Sequence, residues 1–312
     1  MKRLSVSSSP HIRSSASTKR IMLDVIIALT PALIAGCVIF GLRAFAVVAT
    51  CVASSVLAEF LFNIVTKKEQ TVSDFSAALT GLLLGLNLHA NSPIWQCVIG
   101  SVFAIIVVKC LFGGLGCNFA NPAVTARIFL LICFAGTLGG GAVPKFSNNP
   151  ELVSGATPLS VLDAGGELPS MLDMFLGLRG GAIGETCTLA LVIGFIYLAV
   201  RKVINYETPL IFVGTVFVLS LIVDNSFFTA TYQVFSGGLI LGAVFMATDY
   251  VTTPITRSGK MIFAFGCGLI TFLIRYFGAY PEGVSFAILF MNILSPYIER
   301  WTQKRALGGK RA

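Results

Sequence analysis

The sequence predicts an all-α polytopic membrane protein, with about ten transmembrane helices arranged as two inverted five-helix repeats that contain broken helices. The composition predicts this class. Only 12% of the residues are charged, where a soluble domain has roughly a quarter, and 55% are hydrophobic. The 31 glycines suit helices that pack closely within a bilayer. This composition excludes an ordinary soluble enzyme.

Ten apolar stretches have the length of about 17 to 25 residues that a helix needs to cross the hydrocarbon core. The predicted spans are 22–42, 44–66, 74–90, 93–112, 122–141, 181–200, 208–225, 233–250, 260–277 and 282–299. Glycines and polar residues interrupt the third and eighth spans, in TGLLLGLNLHA at 80–90 and GAVFMATDYVTTP at 242–254. Such interruptions are typical of a broken helix that lines a cavity, and a merely kinked helix is the alternative.

A weak internal repeat favours the two-repeat arrangement. FSAALTGLLLGLNL at 75–88 is similar to FSGGLILGAVFMAT at 235–248, and KCLFGG at 109–114 is similar to IRYFGA at 274–279. The two offsets are nearly equal and enclose five predicted spans, and an odd number of spans inverts the second copy. Chance similarity between apolar, Gly-rich segments is the alternative.

The positions of Lys and Arg predict the orientation. Most of the 22 basic residues fall on one side of the membrane if the N-terminus is cytoplasmic. The predicted organisation is a cytoplasmic segment 1–21, a first repeat 22–141, an extracytoplasmic loop 142–180, a second repeat 181–299 and a basic cytoplasmic tail 300–312. The first twenty residues lack the apolar core of a signal peptide, so we expect no cleavage. The net charge of +8 then reflects topology, and we expect membrane lipid as a partner and no nucleic acid.

The Cys and His content argues against a metal centre within the chain. Eight Cys lie mostly in apolar runs without a C-x-x-C pair, and only two His occur. The glycine-rich turn 113–116 lacks the G-K-[ST] of a P-loop, and no strand precedes it as in a dinucleotide-binding fold. We therefore expect no catalytic residue, metal ligand, nucleotide site or iron–sulfur site here.

Polar residues near predicted span ends are candidates to bind a ligand or an ion. Glu185 and Asp249 are carboxylates that burial disfavours unless they are paired, hydrated or functional. Asn118 and Asn121 follow the glycine-rich turn and precede a proline, which indicates either a ring-binding or ion-lining loop or simply the start of a helix. Arg127 lies inside a span and needs a partner.

Other charged or aromatic positions have simpler interpretations. Asp24 and Glu59 lie near span ends with water in reach, so we expect them to be structural. The stretch 275–280, RYFGAY, is expected to belong to an interfacial aromatic belt.

The most informative short string is S-G-A-T in the long loop, formed by Ser154, Gly155, Ala156 and Thr157. By itself it is also an ordinary helix cap. The small neighbours of Thr157 leave room for a bulky phosphate ester on its hydroxyl group.

Together with five further motifs, this string makes the chain resemble the NqrB/RnfD family. This family includes RnfD of the Rnf complex, a membrane-bound ferredoxin:NAD oxidoreductase, and NqrB of the sodium-pumping NADH:quinone oxidoreductase. The motifs are SSSPHI at 7–12, TGLLLGLNL at 80–88, KCLFGGLGCNFANPA at 109–123, SGAT at 154–157, GAIGET at 181–186 and FMATDYVTTP at 245–254. The shorter N-terminal segment favours the Rnf protein over the quinone-reducing one.

The resemblance implies that Thr157 carries covalent FMN through a phosphoester, attached by a flavin transferase, although Glu151 stands where the attachment signal usually has Asp. It also implies a non-covalent riboflavin, the partner proteins RnfA, RnfB, RnfC, RnfE and RnfG, a bacterial cytoplasmic (inner) membrane location, and coupling of ferredoxin:NAD+ electron transfer to Na+ or H+ translocation. We expect spans three and eight to meet near the midplane around a second flavin or the transported ion, with Asn87 and Asp249 near the two ends of that pocket. A non-redox channel or transporter is the alternative of a different class.

Overall fold

The computed structural model describes residues 17–135, 142, 144, 158–163, 170–278 and 282–303. Among these residues, all regular secondary structure is helical, and a single antiparallel bridge between Ala142 and Gly181 is the one β contact. The all-α class is therefore confirmed for the described part of the chain.

Thirteen helices, apart from a short 3-10 turn at Val72–Asp74, are present in the described residues. They are α1 Thr18–Phe40, α2 Leu42–Val65, α3 Ser76–Leu86, α4 Ile94–Cys110, α5 Pro122–Cys133, α6 Pro158–Asp163, α7 Met171–Leu176, α8 Thr188–Val200, α9 Glu207–Asp224, α10 Phe227–Phe235, α11 Leu239–Met246, α12 Arg257–Phe277 and α13 Val284–Thr302. The second parts of α4 and α11, Phe103–Cys110 and Gly242–Met246, are π-helical.

Four described helices, α1, α2, α9 and α12, are long and apolar enough to cross a membrane, and α10 with α11 makes a fifth if the pair is one bent span. Shorter apolar helices, α3, α4, α5 and α8, accompany them. These features are those of a polytopic membrane protein. The number ten stays a prediction, because several predicted spans contain a short helix continued by non-helical backbone.

The eighth predicted span is broken, with α10 and α11 inclined by 63°. The break lies at 236–238, before the interrupted string from which it was expected. Gly237 there has φ +61°, a left-handed conformation that glycine adopts without strain. Gly238 has no room for a side chain, because an added Cβ would lie 2.4 Å from Glu185 Oε1.

The sixth predicted span begins later than expected. Its helix α8 starts at Thr188, and 181–187 is not helical. The backbone N–H groups of Ile183 and Gly184 instead donate to the carbonyl groups of Leu88, at 3.0 Å, and Leu86, at 2.8 Å. This segment therefore packs against the end of α3, and its backbone groups are satisfied without a helix.

Small residues bring the helices together. A Cβ on Gly81 of α3 would lie 2.6 Å from the Cys51 carbonyl oxygen of α2, and one on Gly194 of α8 would lie 2.4 Å from the Ala28 carbonyl oxygen of α1. Such close approach is typical of membrane helix pairs. Large apolar side chains remain exposed on the outer faces of α1, α2 and α9, as expected of surfaces that face lipid.

Candidate functional site

The predicted site residues fall into two groups in the structure. Asn118, Asn121 and Asp249 line one cavity, which we call the Asp249 cavity. Glu185 lies elsewhere, in a buried charge cluster with Arg127. The string 154–157 with Thr157 lies outside the described residues.

The Asp249 cavity has a volume of about 80 Å³. Its polar wall is formed by Ser76, Thr80, Lys109, Asn118, Asn121, Thr248 and Asp249, and its apolar wall includes Leu79, Leu83, Val244 and Phe245. The walls come from α1, α3, α4, α8, α11, the start of α5 and the loops that follow α4, α8 and α11. The lining is therefore mixed, with apolar side chains and a few polar groups that face the same space, as in small-ligand sites.

Asp249 lies in the loop after α11 and is held by that loop. Its Oδ1 accepts a hydrogen bond from the Val251 backbone N–H at 3.3 Å, and its Oδ2 accepts one from Thr252 Oγ1 at 3.2 Å. Each carboxylate oxygen thus accepts a hydrogen bond from the same loop. The carboxylate is fixed at the cavity wall.

The helix-start interpretation is confirmed for Asn121, and the ring-binding or ion-lining interpretation stays a prediction. Asn121 Oδ1 caps α5 by accepting from the backbone N–H groups of Ala123, at 3.0 Å, and Val124, at 3.4 Å. Asn118 Nδ2 donates to the Ala120 carbonyl oxygen at 3.0 Å. The asparagines therefore shape the start of α5 and also line the cavity.

Lys109, which lies near the end of the predicted span 93–112, was not identified as a site residue from the sequence. Lys109 Nζ lies at the end of the π-helical part of α4 and donates to both carboxylate oxygens of Glu59 at 2.9 Å and to Ser76 Oγ at 2.7 Å. Glu59 Oε1 also accepts from Thr71 Oγ1 at 2.6 Å. The signal in the sequence was a single Lys inside the apolar run VVKCLF.

A second site is built around Arg127 of α5, whose partners come from three other segments. Arg127 Nη1 donates to Asn87 Oδ1 and to Glu185 Oε1, each at 2.7 Å, and Arg127 Nη2 pairs with Glu282. The predicted need of Arg127 for a partner is therefore confirmed, and Asn87 and the two glutamates supply it.

Two further buried arginines complete what we call the arginine cluster: Arg127, Arg179, Arg275, Glu185 and Glu282. Arg179 is 2% exposed, and its Nη2 donates to the Glu185 carbonyl oxygen at 2.7 Å. Arg275 Nη1 donates to the Gln233 carbonyl oxygen at 2.6 Å, and Nη2 donates to that of Ser236 at 3.1 Å. The expected place of Arg275 in an interfacial belt is therefore wrong, because the break between α10 and α11 leaves carbonyl groups that this side chain satisfies.

The arginine cluster lies beside the residue that follows the S-G-A-T string. A small cavity of about 10 Å³ is lined by Pro158, Arg179, Gly180, Gly181, Glu185, Thr186, Gly237 and Glu282. Leu159 is buried, and its Cδ1 lies 3.0 Å from the place of a Cβ on Gly237. Helix α6, which begins at Pro158, therefore packs on the break in the bent helix pair.

Asn87 connects the two sites. Its Nδ2 donates to the Leu83 carbonyl oxygen at 2.7 Å and lies 3.8 Å from Met246 Sδ, so the ends of α3 and α11 are in contact. The expectation that Asn87 would stand at the end of the same pocket as Asp249 is wrong. Leu83 lines that cavity, whereas Asn87, one helical turn further along, does not and instead accepts a hydrogen bond from Arg127.

Comparison with known proteins supports one family. Residues 5–308 match the family model described as the NQR2, RnfD, RnfE family. The chain is 49% identical over 309 residues to the D subunit of the Na(+)-translocating ferredoxin:NAD(+) oxidoreductase complex of Acetobacterium woodii, covering 98% of this chain and 95% of that relative. It is 40% identical over 320 residues to the D subunit of the proton-translocating ferredoxin:NAD(+) oxidoreductase complex of Clostridium ljungdahlii, covering 98% and 96%.

A third relative is more distant. The D subunit of the ion-translocating oxidoreductase complex of Stutzerimonas stutzeri is 37% identical over 332 residues, covering 95% of this chain and 93% of that relative. The match to the family model spans both halves of the chain, both candidate sites and the long loop. The chain belongs to the NQR2, RnfD, RnfE family.

Proposed function

We propose that this chain is the D subunit of an ion-translocating ferredoxin:NAD+ oxidoreductase in the bacterial cytoplasmic membrane. The observation that carries the proposal is 49% identity over nearly the whole chain to a relative of that name. The chain assembles with RnfA, RnfB, RnfC, RnfE and RnfG, and the ferredoxin and NAD sites lie on these partners. It crosses the membrane ten times in two inverted repeats, with both termini cytoplasmic and the loop 142–180 outside.

Thr157 carries FMN through a phosphoester in this proposal. A bound flavin accepts and donates one or two electrons, and the protein must orient its ring and exclude water. The surroundings of the next residue suit such a group: Pro158 lines a buried cavity with three glycines, and the arginine cluster supplies positive charge for an anionic ester. In this proposal the attachment loop places the flavin beside the break between α10 and α11.

The Asp249 cavity binds the second ligand, a non-covalent riboflavin or the transported cation. The lining supports this: Asn118 and Asn121 carry amide groups, Asp249 is an acceptor, and Leu79, Leu83 and Phe245 form an apolar wall, although the cavity of about 80 Å³ must widen to admit a flavin ring. A flavin needs hydrogen bonds along one edge and apolar faces, and a cation needs the carboxylate. Asp249 then couples ion movement to electron transfer.

The two sites are close enough to be coupled. Asn121, which caps α5, lines the Asp249 cavity, and Arg127, near the middle of the same helix, organises the arginine cluster. Six residues of helix rise by about 9 Å. A change of charge at one site therefore changes the electrostatic potential at the other, and the rigid helix α5 connects the two sites.

Peptide mass spectrometry of the complex tests the attachment. We expect the peptide with residues 153–160 to be heavier by FMN less one water, and the chain to give a yellow, ultraviolet-fluorescent band after denaturing electrophoresis. Thr157→Ala removes the hydroxyl group and is expected to remove the band. An unmodified wild-type peptide from cells with an active flavin transferase contradicts the proposal and favours a non-redox transporter.

A further inference from the structure

Hydrogen bonds join four side chains in a row from the protein surface to the Asp249 cavity. Thr71 Oγ1 donates to Glu59 Oε1 at 2.6 Å, and Lys109 Nζ donates to both carboxylate oxygens of Glu59 at 2.9 Å. Lys109 Nζ also donates to Ser76 Oγ at 2.7 Å. We call this row of side chains, Thr71, Glu59, Lys109 and Ser76, the Lys109 chain.

The two ends of the Lys109 chain have different surroundings. Thr71 is exposed, in the loop between α2 and α3 that the proposed topology places on the cytoplasmic side. Ser76 and Lys109 line the Asp249 cavity. Between the two ends, Glu59 and Lys109 are each only 2% exposed. The Lys109 chain therefore connects the cytoplasmic surface to the cavity through buried polar groups.

Each member of the Lys109 chain carries a group that exchanges protons. A hydroxyl group donates and accepts hydrogen bonds, a carboxylate accepts a proton, and an ammonium group releases one. Ser76 Oγ accepts a hydrogen bond from Lys109 and donates to no acceptor within the part of the chain that the structure describes. Its own hydrogen is therefore available to a group in the cavity. Buried ionisable groups in membrane spans are costly and often form such proton relays.

A redox ligand in this cavity needs a proton as well as an electron. An added electron places negative charge beside apolar side chains such as Leu79 and Phe245, and an uncompensated buried charge is strongly unfavourable. The carboxylate of Asp249 in the same cavity opposes further negative charge. The positive charge of Lys109 is already balanced by Glu59. Proton uptake is therefore the remaining way to neutralise the reduced ligand.

We propose that the Lys109 chain conducts protons from the cytoplasm to a redox ligand in the Asp249 cavity. This inference rests on the proposed function, which supplies the electron, and it assigns the cavity to the flavin rather than to the cation. Lys109 Nζ gives a proton to Ser76 Oγ, which releases its own hydrogen to the acceptor in the cavity. Glu59 takes up a proton from water through Thr71 and passes one to Lys109 Nζ. One proton has then moved inward, and all four side chains have regained their starting states.

Lys109→Arg tests the proton step while it keeps the positive charge. Arginine remains an ion-pair partner for Glu59, but its guanidinium group does not release a proton at neutral pH. The purified complex is mixed rapidly with reduced ferredoxin in the absence of NAD+, and absorbance records reduction of the non-covalent flavin in H2O and in D2O. We expect Lys109→Arg to slow this reduction about 100-fold and to leave the non-covalent flavin content unchanged.

Chemical rescue gives an independent measurement. Lys109→Ala leaves space beside Glu59 in which a small amine replaces the lost side chain. Methylammonium has exchangeable protons and should restore much of the rate of flavin reduction, whereas tetramethylammonium has none and should not. Arg201→Gln is the matched control, because Arg201 pairs with Asp24 and neither residue lines the cavity, and this variant should react like wild type. The rescue keeps the test possible if the arginine variant fails to assemble.

The outcomes separate the inference from the proposed function. A wild-type rate of flavin reduction in Lys109→Arg, or equal effects of the two ammonium ions on the assembled Lys109→Ala complex, overturns the inference. The pair of Lys109 and Glu59 is then a structural contact only, and the proposed function survives. Absence of a non-covalent flavin on this chain in the wild-type complex overturns the assignment of a flavin to the cavity, and the inference with it.

Discussion

Arg127 Nη1 of α5 lies 2.7 Å from Glu185 Oε1 of the segment before α8, and this buried ion pair joins the two halves of the sequence. The same guanidinium group binds Asn87 at the end of α3 and Glu282 just before α13. One side chain thus holds four segments together beside the attachment loop. In the proposed topology, this contact organises the arginine cluster on the extracytoplasmic side.

Arg127→Gln should destabilise the protein strongly. The substitution removes the ion pairs with the buried Glu185 and the half-buried Glu282, and breaking a buried pair is a loss of about 3–5 kcal/mol. The measurement is thermal unfolding in detergent. Arg257→Gln is the control, because Arg257 is 71% exposed in its pair with Glu207, and it should melt close to wild type. Equal melting of Arg127→Gln and wild type would show that the pair contributes nothing.

Lys109→Met and the double variant Lys109→Met/Glu59→Leu should differ in stability. The single change leaves the buried carboxylate of Glu59 unpaired, at a loss of about 3–5 kcal/mol, and the double change removes both charges. We expect the double variant to be the more stable of the two in the same unfolding assay. A double variant that is less stable than the single one contradicts this.

Asp249→Ala should impair ion-coupled electron transfer and lower the content of non-covalent flavin, while FMN stays on Thr157. The reason is that Asp249 lines the Asp249 cavity, whereas the attachment loop adjoins the arginine cluster. Activity in proteoliposomes, acid-extractable flavin and peptide mass are measured on the same preparation. Glu207→Gln, away from the cavity, is the control. Full coupling and full flavin content in Asp249→Ala would exclude this role.

Gly238→Ala should lower the stability of the protein, whereas Gly214→Ala should leave it unchanged. A Cβ at position 238 would lie 2.4 Å from Glu185 Oε1 and 3.3 Å from Arg127 Nη1, whereas nothing lies within 4 Å of a Cβ at position 214. The backbone of Gly238 has φ −83°, so the effect is purely steric. We expect a lower melting temperature and a lower FMN content for Gly238→Ala alone. The prediction fails if both variants behave alike.

Cysteine labelling should distinguish positions on the cytoplasmic side of the membrane from positions on the outer side. In a variant whose other cysteines are replaced, exposed Cys117 is expected to react with an impermeant reagent from the cytoplasmic side, and a cysteine at position 145 from the outside. The assay uses right-side-out and inverted vesicles. The proposed orientation is wrong if the two positions label from the same side.

The long apolar helices could be predicted closely from the sequence. The stretches 22–42 and 44–66 became Thr18–Phe40 and Leu42–Val65, because uninterrupted apolar runs leave the backbone no alternative in lipid. The start of α8 could not be predicted. It depends on backbone hydrogen bonds from Ile183 and Gly184 to Leu88 and Leu86, which belong to a distant segment and leave no periodic pattern.

The candidate site could be predicted in part. Several of its residues could be identified from the sequence, but which of them lie together could not. Asn118, Asn121 and Asp249 were identified from their types and positions, and the structure brings them to one cavity. Arg179 and Arg275 were missed, because the count of basic residues by side assigned both of them to the outer segments. Their burial depends on the break between α10 and α11, whose free carbonyl groups exist only in the folded chain.

The π-helical segments of α4 and α11 set the direction in which side chains at their ends face the Asp249 cavity. Their turns are wider than those of an α-helix, with backbone hydrogen bonds between residues five apart. One inserted residue turns every following side chain by about 100° around the helix axis. Lys109, at the end of the first segment, therefore meets Glu59, Ser76 and the cavity in a register that an uninterrupted α-helix would not give.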